Sequence, residues 1–375
     1  MIKFWSYDRE YKKYKKIILK NINKSILKGN IFFGAQLDSF EKKFIKKYNG
    51  KFGIAVGSGT DALLISLKTL NLKKGEEVIT AANTAIPTIS AIINAGGKPR
   101  LVDVGEDYLI DVSKIKKEIN SKTRAIIPVH LYGQMCDMDS IEKIAKKSNL
   151  TIIEDCAQSQ GAKYKKKYSG TIGKFGCFSF YPTKILGTYG DGGFILTNSF
   201  KAYKEIKRLR FYGIETVEKN NFLNQYYANQ NGFNSRLDEI QASILNFKLD
   251  KVDTFISRRK KIANHYFNSL KLTGLKLPKT NLHCDHVFHL FTVYHKKSDQ
   301  INKKLLKLKI QTRKIYPYPI HKMKAYSKMI KNKKNLMNSE KKAKGIFSIP
   351  LYPELKNSEI IKISNALVSI MKKFR

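Results

Sequence analysis

The sequence predicts an α/β fold. A large α/β/α domain with a mainly parallel sheet should be followed by a smaller C-terminal α+β domain. Three observations carry this reading. From about residue 50, short apolar runs alternate with amphipathic stretches, the pattern of strands joined by crossover helices. Two of those runs end in polar residues suited to chemistry: Phe52–Val56 runs into Gly57-Ser58-Gly59-Thr60, and Thr151-Ile-Ile-Glu-Asp155 ends in an acid. Ligands bind beyond the carboxyl ends of parallel strands, which is where both features fall. Finally, 375 residues suffice for one large domain plus a second, each with its own core.

In chain order the expected strands are Phe52–Val56, Glu77–Thr80, Arg100–Val104, Arg124–Val129, Thr151–Asp155, Phe175–Phe180 and Gly193–Thr197. Helices are expected between most of them, over Asp61–Leu70, Thr88–Ala95, Ser113–Ile119 and Met138–Lys147. After Arg236, the spacing of Leu237, Ile240, Ile244, Leu245 and Leu249 predicts a long helix, which passes into an apolar-periodic stretch over Lys251–Leu270. The domain division is placed here, giving 1–245 for the N-terminal segment and large domain and 246–375 for the small one. Within the latter, His286–Tyr294 alternates like a strand. Lys303–Leu308 and Glu359–Met371 read as helices.

The formal net charge of +41 raises the question of nucleic-acid binding. Lysine, however, is spread along the whole chain with no arginine-rich stripe, which favours solvated helix faces over a nucleic-acid surface. The charge still suits anionic small molecules, with an attraction that salt weakens. No apolar run reaches the length of a membrane span, and the N-terminal residues lack the pattern of a signal peptide. Cys136, Cys156, Cys177 and Cys284 are scattered without a Cys-x-x-Cys pair, as expected of free thiols in a reducing cytoplasm.

Lys184 is the most informative residue. It lies in Phe178-Ser-Phe-Tyr-Pro-Thr-Lys184-Ile-Leu-Gly-Thr-Tyr-Gly-Asp-Gly-Gly193, a glycine-rich, serine-bearing turn. A lysine so placed, with an aspartate at a strand end, is what pyridoxal phosphate chemistry needs: the amine forms a Schiff base, and the carboxylate keeps the pyridine nitrogen protonated. Gly57-Ser-Gly-Thr60 opens a helix, where free N–H groups face a phosphate. It is neither a Walker motif nor Gly-x-Gly-x-x-Gly, and by itself it is equally an ordinary capped helix. Ser179 and Lys184 tip the reading towards phosphate. His283, Cys284, His286 and His289 cannot all converge from an extended strand, so no metal site is expected. His130 reads as structural. Adjacent strand residues point to opposite faces, so Glu154 and Asp155 should not share a site.

The chain resembles the sugar-nucleotide aminotransferases of the DegT/DnrJ/StrS family, almost from end to end. The resemblance rests on Phe40-Glu-Lys-Lys-Phe44, Gly57-Ser-Gly-Thr-Asp-Ala-Leu63, Asn83-Thr-Ala-Ile-Pro-Thr88 and Pro128-Val-His-Leu-Tyr-Gly-Gln134. It continues through Glu154-Asp-Cys-Ala-Gln158, Ser179-Phe-Tyr-Pro-Thr-Lys184, Gly190-Asp-Gly-Gly193, Gly232-Phe-Asn-Ser-Arg-Leu-Asp-Glu-Ile-Gln-Ala242 and Ile349-Pro-Leu-Tyr-Pro-Glu354. It implies fold type I of the pyridoxal phosphate enzymes, the aspartate-aminotransferase-like architecture. By the same resemblance, Lys184 carries the cofactor and shuttles protons, and Asp155 pairs with the ring nitrogen. Gln158 lies against the cofactor, and Gly59, Thr60 and Ser179 hold its phosphate. Asn234 reaches the phosphate from the second subunit of a homodimer, and Arg236, Tyr316 and His321 are candidate substrate contacts.

Two positions depart from the family pattern. Ala85 stands where many relatives place an aromatic ring on the cofactor face. Ile315-Tyr316-Pro317 stands where many have His-Tyr-Pro. The implied reaction moves an amino group from L-glutamate, through pyridoxamine phosphate, to a keto-sugar on a nucleoside diphosphate. Gly190-Asp-Gly-Gly193 resembles enzymes acting at sugar C3 on dTDP or UDP carriers, in surface polysaccharide or lipopolysaccharide synthesis, or alternatively in deoxyaminosugar synthesis for secondary metabolites. The alternatives are a C4 aminotransferase, and a sugar dehydratase or regulatory protein of the same fold. A histidine in place of Lys184 is usual in the dehydratases.

Overall fold

The structure, a computed structural model, describes residues 1–214, 227–330, 332 and 335–374. Helices α1 (Tyr7–Leu27) and α2 (Ala35–Lys47) precede β1 (Phe52–Val56), α3 (Gly59–Lys68), β2 (Glu77–Ala81), α4 (Ile86–Asn94) and β3 (Lys98–Val102). Next come α5 (Val112–Glu118), β4 (Thr123–Ile127), α6 (Met138–Lys147), β5 (Thr151–Asp155), and the short hairpin β6 (Lys163–Tyr164) and β7 (Lys167–Tyr168). Then follow β8 (Phe175–Ser179), β9 (Gly193–Thr197), α7 (Phe200–Leu209), α8 (Glu239–Leu249) and α9 (Val252–Leu270). The remainder holds β10 (Cys284–Asp285), β11 (Phe291–Tyr294), α10 (Ser298–Lys307), α11 (Lys324–Ser327), α12 (Met337–Gly345), β12 (Ile346–Ile349) and α13 (Asn357–Lys372).

Seven strands form the main sheet in the order β1-β9-β8-β5-β4-β2-β3. Only β9 runs antiparallel to its neighbours. The other six therefore share a direction, and the ends of β1, β5 and β8 lie along one edge. The start of β9 reaches the same edge, because Gly193 pairs with both Val56 and Ser179. A side chain there is impossible: a Cβ on Gly193 would lie 2.2 Å from the Ser58 carbonyl oxygen.

The main core is strongly aromatic behind β8 and β9. Phe40, Phe44, Tyr48, Phe178, Phe180 and Phe194 are fully buried and pack ring against ring. Helix α2 is fixed over this cluster by an electrostatic cap. The buried Glu239 carboxylate accepts from Gly34 N at 3.0 Å, Gln36 N at 2.8 Å and Leu37 N at 2.9 Å, which are orphan amides at the α2 N-terminus. Glu239→Ala should strip all three of their partner and cost about 3 kcal/mol. Chemical denaturation checks this, with Glu239→Gln expected to lose less.

A second core gathers Ile262, Tyr266, Phe291, Val293, Ile349, Ile363 and Leu367, together with Ile2. Helix α9 spans both cores, with Val252 and Ile256 in the first and Ile262, Tyr266 and Leu270 in the second. Helix α1 is tied to both regions. Arg9 makes a two-pronged ion pair with Glu359 at 2.6 and 2.7 Å, and Glu10 accepts from Lys248 Nζ at 2.7 Å.

Two sequence expectations change. The strand expected over Arg100–Val104 lies two residues earlier, as β3. The strand expected over His286–Tyr294 is confined to Phe291–Tyr294. Its first half turns instead: Phe288 adopts φ 49°, and His286 Nδ1 accepts its N–H at 2.9 Å. All four cysteines are unpaired. Among the described residues no helix is long and apolar enough to cross a membrane.

Candidate active site

A cavity of about 530 Å³ opens at the shared strand edge. Its floor is Asp155, at the tip of β5. One wall is the α3 N-terminus with Ser58, Gly59 and Thr60, and another is the first turn of α4 with Thr84, Ala85, Ile86 and Pro87. Ser179, Tyr181, Lys184 and the 316–318 segment complete it.

Asp155 is buried. Its Oδ2 accepts from Thr88 Oγ1 at 2.8 Å and its Oδ1 from Ala157 N at 3.1 Å. Burial pushes the carboxyl up, while these bonds and the Lys184 charge pull it down without cancelling the rise. Glu154 points the other way, as strand geometry requires. It accepts from Gly170 N at 2.9 Å, Ile172 N at 2.8 Å and Gly173 N at 2.6 Å, and pairs with His130 Nε2 at 2.9 Å. His130 Nδ1 accepts from Cys136 N at 3.2 Å, so both ring nitrogens serve the fold. His130, Glu154 and Cys156 are the one cluster of three metal-type donors among the described residues. Its imidazole and carboxylate are already spent on protein hydrogen bonds.

Lys184 follows β8 in a tight loop, with its N–H on Tyr181 O at 2.9 Å. The loop needs Gly187, where a Cβ would meet the Tyr181 and Pro182 carbonyl oxygens at 2.7 Å. The side chain is half-buried and lines the cavity. Among the described residues no hydrogen bond or salt bridge is formed by its Nζ. Burial brings the amine down to about 8, against the opposing pull of Asp155.

Gly59 abuts Ser179: a Cβ on the glycine would lie 2.5 Å from Ser179 Cβ. The two turns therefore meet as a single polar cradle beside the lysine. Ser58 caps α3 through Asp61 N at 3.0 Å. The neighbouring first-turn amides have no helical acceptor, which makes the cradle a natural seat for an anion. Ser235, which sequence reasoning passed over, ties the 234–236 segment to this turn. It accepts from Gly57 N at 2.9 Å and donates to Asp61 at 2.8 Å.

Gln158 is locked in orientation. Its Oε1 accepts from Tyr132 N at 2.8 Å, so its Nε2 donates to the Tyr316 hydroxyl at 3.0 Å. Burial pushes the Tyr316 phenol far up, and it remains a hydroxyl that lines the cavity.

The cavity thus unites Gly59, Thr60, Asp155, Gln158, Ser179, Lys184 and Tyr316. Asn234, expected to reach the site of a second subunit, is exposed and lies outside this chain's own cavity. Two other expected site residues lie elsewhere. Arg236 stacks over Phe32 at 4.4 Å and Phe211 at 5.7 Å. His321 is buried against Glu340 at 2.9 Å, and Tyr318 and Met323 line the cavity in its place. Ala85 does line it, and the aromatic side chains that share the lining are Tyr181, Tyr316 and Tyr318.

Known proteins resemble this chain in sequence and fold over nearly its whole length. The chain is 39% identical over 368 residues to dTDP-3-amino-3,6-dideoxy-alpha-D-galactopyranose transaminase of Aneurinibacillus thermoaerophilus, covering 98% of this chain and 99% of that one. It is 37% identical over 362 residues to dTDP-3-amino-3,4,6-trideoxy-alpha-D-glucose transaminase of Micromonospora megalomicea subsp. nigra, covering 94% of each. Its fold matches the crystal structure of NtdA from Bacillus subtilis with bound cofactor PMP. The TM-score is 0.90 at 29% identity, over 99% of this chain and 85% of that one. Together with a family match over residues 12–368, these likenesses place the sequence: the chain belongs to the DegT/DnrJ/EryC1/StrS aminotransferase family.

Proposed function

We propose that this aminotransferase uses pyridoxal phosphate to move an amino group from L-glutamate to C3 of a keto-deoxysugar carried on a nucleoside diphosphate. The observation that carries the reading is one cavity joining a lysine amine without a hydrogen-bond partner among the described residues, a buried carboxylate and an amide-lined cradle. That donor set fits the cofactor: an amine for the aldehyde, an anion for the ring nitrogen, and a helix N-terminus for the phosphate. Bound pyridoxal phosphate supplies an electron-withdrawing ring that accepts charge from the substrate carbon.

In this reading Lys184 Nζ holds the cofactor and then moves a proton to and from the substrate carbon. Asp155 balances the ring charge. The Gly59 and Thr60 amides and the Ser179 hydroxyl hold the phosphate. Gln158 and the Tyr316 hydroxyl orient what lies above Asp155. Asn234, exposed beside the Gly57 turn, contributes to the cradle of a second copy in a homodimer, with Arg236 behind it. Apart from Lys184, no cationic side chain among the described residues lines the cavity, so the wider basic surface draws the anionic substrates. The two relatives' dTDP-3-amino products support C3 and a dTDP carrier. A cytoplasmic enzyme supplying amino sugars for surface polysaccharide fits these substrates.

The test offers enzyme charged with pyridoxamine phosphate to a panel of keto-sugar nucleotides. Mass spectrometry and NMR should show the carbonyl oxygen at C3 exchanged for an amino group, with dTDP substrates preferred. Amination at C4 would overturn the regiochemistry. A bound cofactor that no amino donor bleaches would overturn the transaminase itself.

A further inference from the structure

A hydroxyl pair beneath the cavity has no part in the roles above. Thr88, in the first turn of α4, donates to Asp155 Oδ2 at 2.8 Å. Its oxygen lies 2.9 Å from Thr84 Oγ1. Both threonines are buried, and Thr84 also lines the cavity. The proton positions follow by elimination. An ionised Asp155 only accepts, so the single Thr88 proton points to it. The Thr88 oxygen can then only accept, so the Thr84 proton points to Thr88. Both hydroxyls are aligned towards one anion. The second carboxylate oxygen is held independently by Ala157 N.

We propose that Thr88 is a positioning residue for Asp155 and that Thr84 orients Thr88, the pair forming a relay that keeps the carboxylate ionised and fixed for the cofactor's ring nitrogen. The proposal rests on the reading of this cavity as a pyridoxal phosphate site. Its physical basis is a contest at Asp155. Withdrawal from water favours the neutral acid, which could not hold the ring nitrogen protonated. A hydrogen bond to the ionised form opposes that, and a second hydroxyl in series polarises the first, strengthening it by about 10–30%. Lys184, His130, Tyr316, Cys156 and Cys177 are the other titratable groups around Asp155. Among the described residues, none of them forms a side-chain hydrogen bond with its carboxylate.

The test uses holoenzyme carrying Thr88→Val, Thr88→Ser or Thr84→Val. One readout is the NMR shift of an isotope-labelled cofactor ring nitrogen, which reports its protonation. The other is cofactor retention on dilution. Thr88→Val should move the ring nitrogen towards its unprotonated shift and weaken retention about tenfold. Thr84→Val should act in the same direction but less, and Thr88→Ser should behave as wild type. A wild-type shift and retention in Thr88→Val would overturn the relay. So would Thr88→Ser as damaged as Thr88→Val, since that would place the effect in the lost methyl. If Thr88→Val does not fold, an unshifted ring nitrogen in Thr84→Val overturns the proposal alone. Wild-type protein that binds no cofactor, or Asp155→Asn with an unchanged ring nitrogen, would instead sink the cofactor reading on which the relay rests.

Discussion

Lys184→Ala is expected to abolish amino transfer, lowering kcat at least about ten-thousandfold. In the proposed mechanism the amine is both the covalent anchor and the proton carrier, and among the described residues no other cationic side chain lines the cavity. Asp155 is an acid pinned by two donors, and the Tyr316 phenol is held protonated by burial. Borohydride treatment of wild-type enzyme should fix the cofactor to the peptide containing Lys184, and the variant should show no such adduct. A variant with wild-type turnover would refute the assignment. The lowered amine carries a pH signature as well. Near 8, about a tenth of the apo-enzyme's Lys184 is neutral at pH 7. Cofactor loading should therefore quicken about tenfold per pH unit below that value and level off above it. Stopped-flow absorbance would show the plateau.

Asp155→Asn should cut kcat by about a hundred- to a thousandfold while the fold survives. The amide is isosteric. Its oxygen can keep the Ala157 N–H, and Thr88 can turn its proton away and accept instead. What disappears is the negative charge that the proposed mechanism sets opposite the ring nitrogen. The same substitution should leave apo-enzyme stability equal or higher at neutral pH, because an isolated buried carboxylate is costly. The sign follows from linkage. Burial raises Asp155 in the fold above its ordinary 3.8, so between those values the native state holds the extra proton and stability falls as pH rises. The penalty is therefore complete only above the raised native value and absent well below 3.8, and the gap in melting temperature should close in acid. Wild-type kcat in this variant would remove Asp155 from the chemistry.

Strands β1, β5 and β9 coincide with the sequence reading because each is an apolar run bounded by turn residues or a terminal acid. The elements near the N-terminus were less legible. In α1, lysines dominate Lys12–Lys24, and only Ile18 and Ser25 are buried, so little apolar periodicity is left to see. The first half of His286–Tyr294 misled because His286 captures the Phe288 N–H, a local bond that a two-residue alternation cannot reveal. The motif residues Gly59, Asp155 and Ser179 were legible because they sit at or just beyond strand ends, and Lys184 because a glycine-rich turn follows β8. Thr88 was quoted within a motif yet given no role, since its partner lies 67 residues away. His321 was drawn in by its nearness to Tyr316 in sequence, but Glu340 holds it elsewhere.

The two acids at the tip of β5 share one strand end but face opposite ways. Glu154 grips the 170–173 loop from behind, through three amides and His130, so the reactive carboxylate in front has little room to drift. The boundary formed by Ile86, Pro87, Tyr318 and Met323 bears none of that anchoring. In the proposed mechanism, a bolted base under replaceable panels would let selectivity for one sugar over another be rebuilt by changing those four side chains, with the catalytic apparatus left in register.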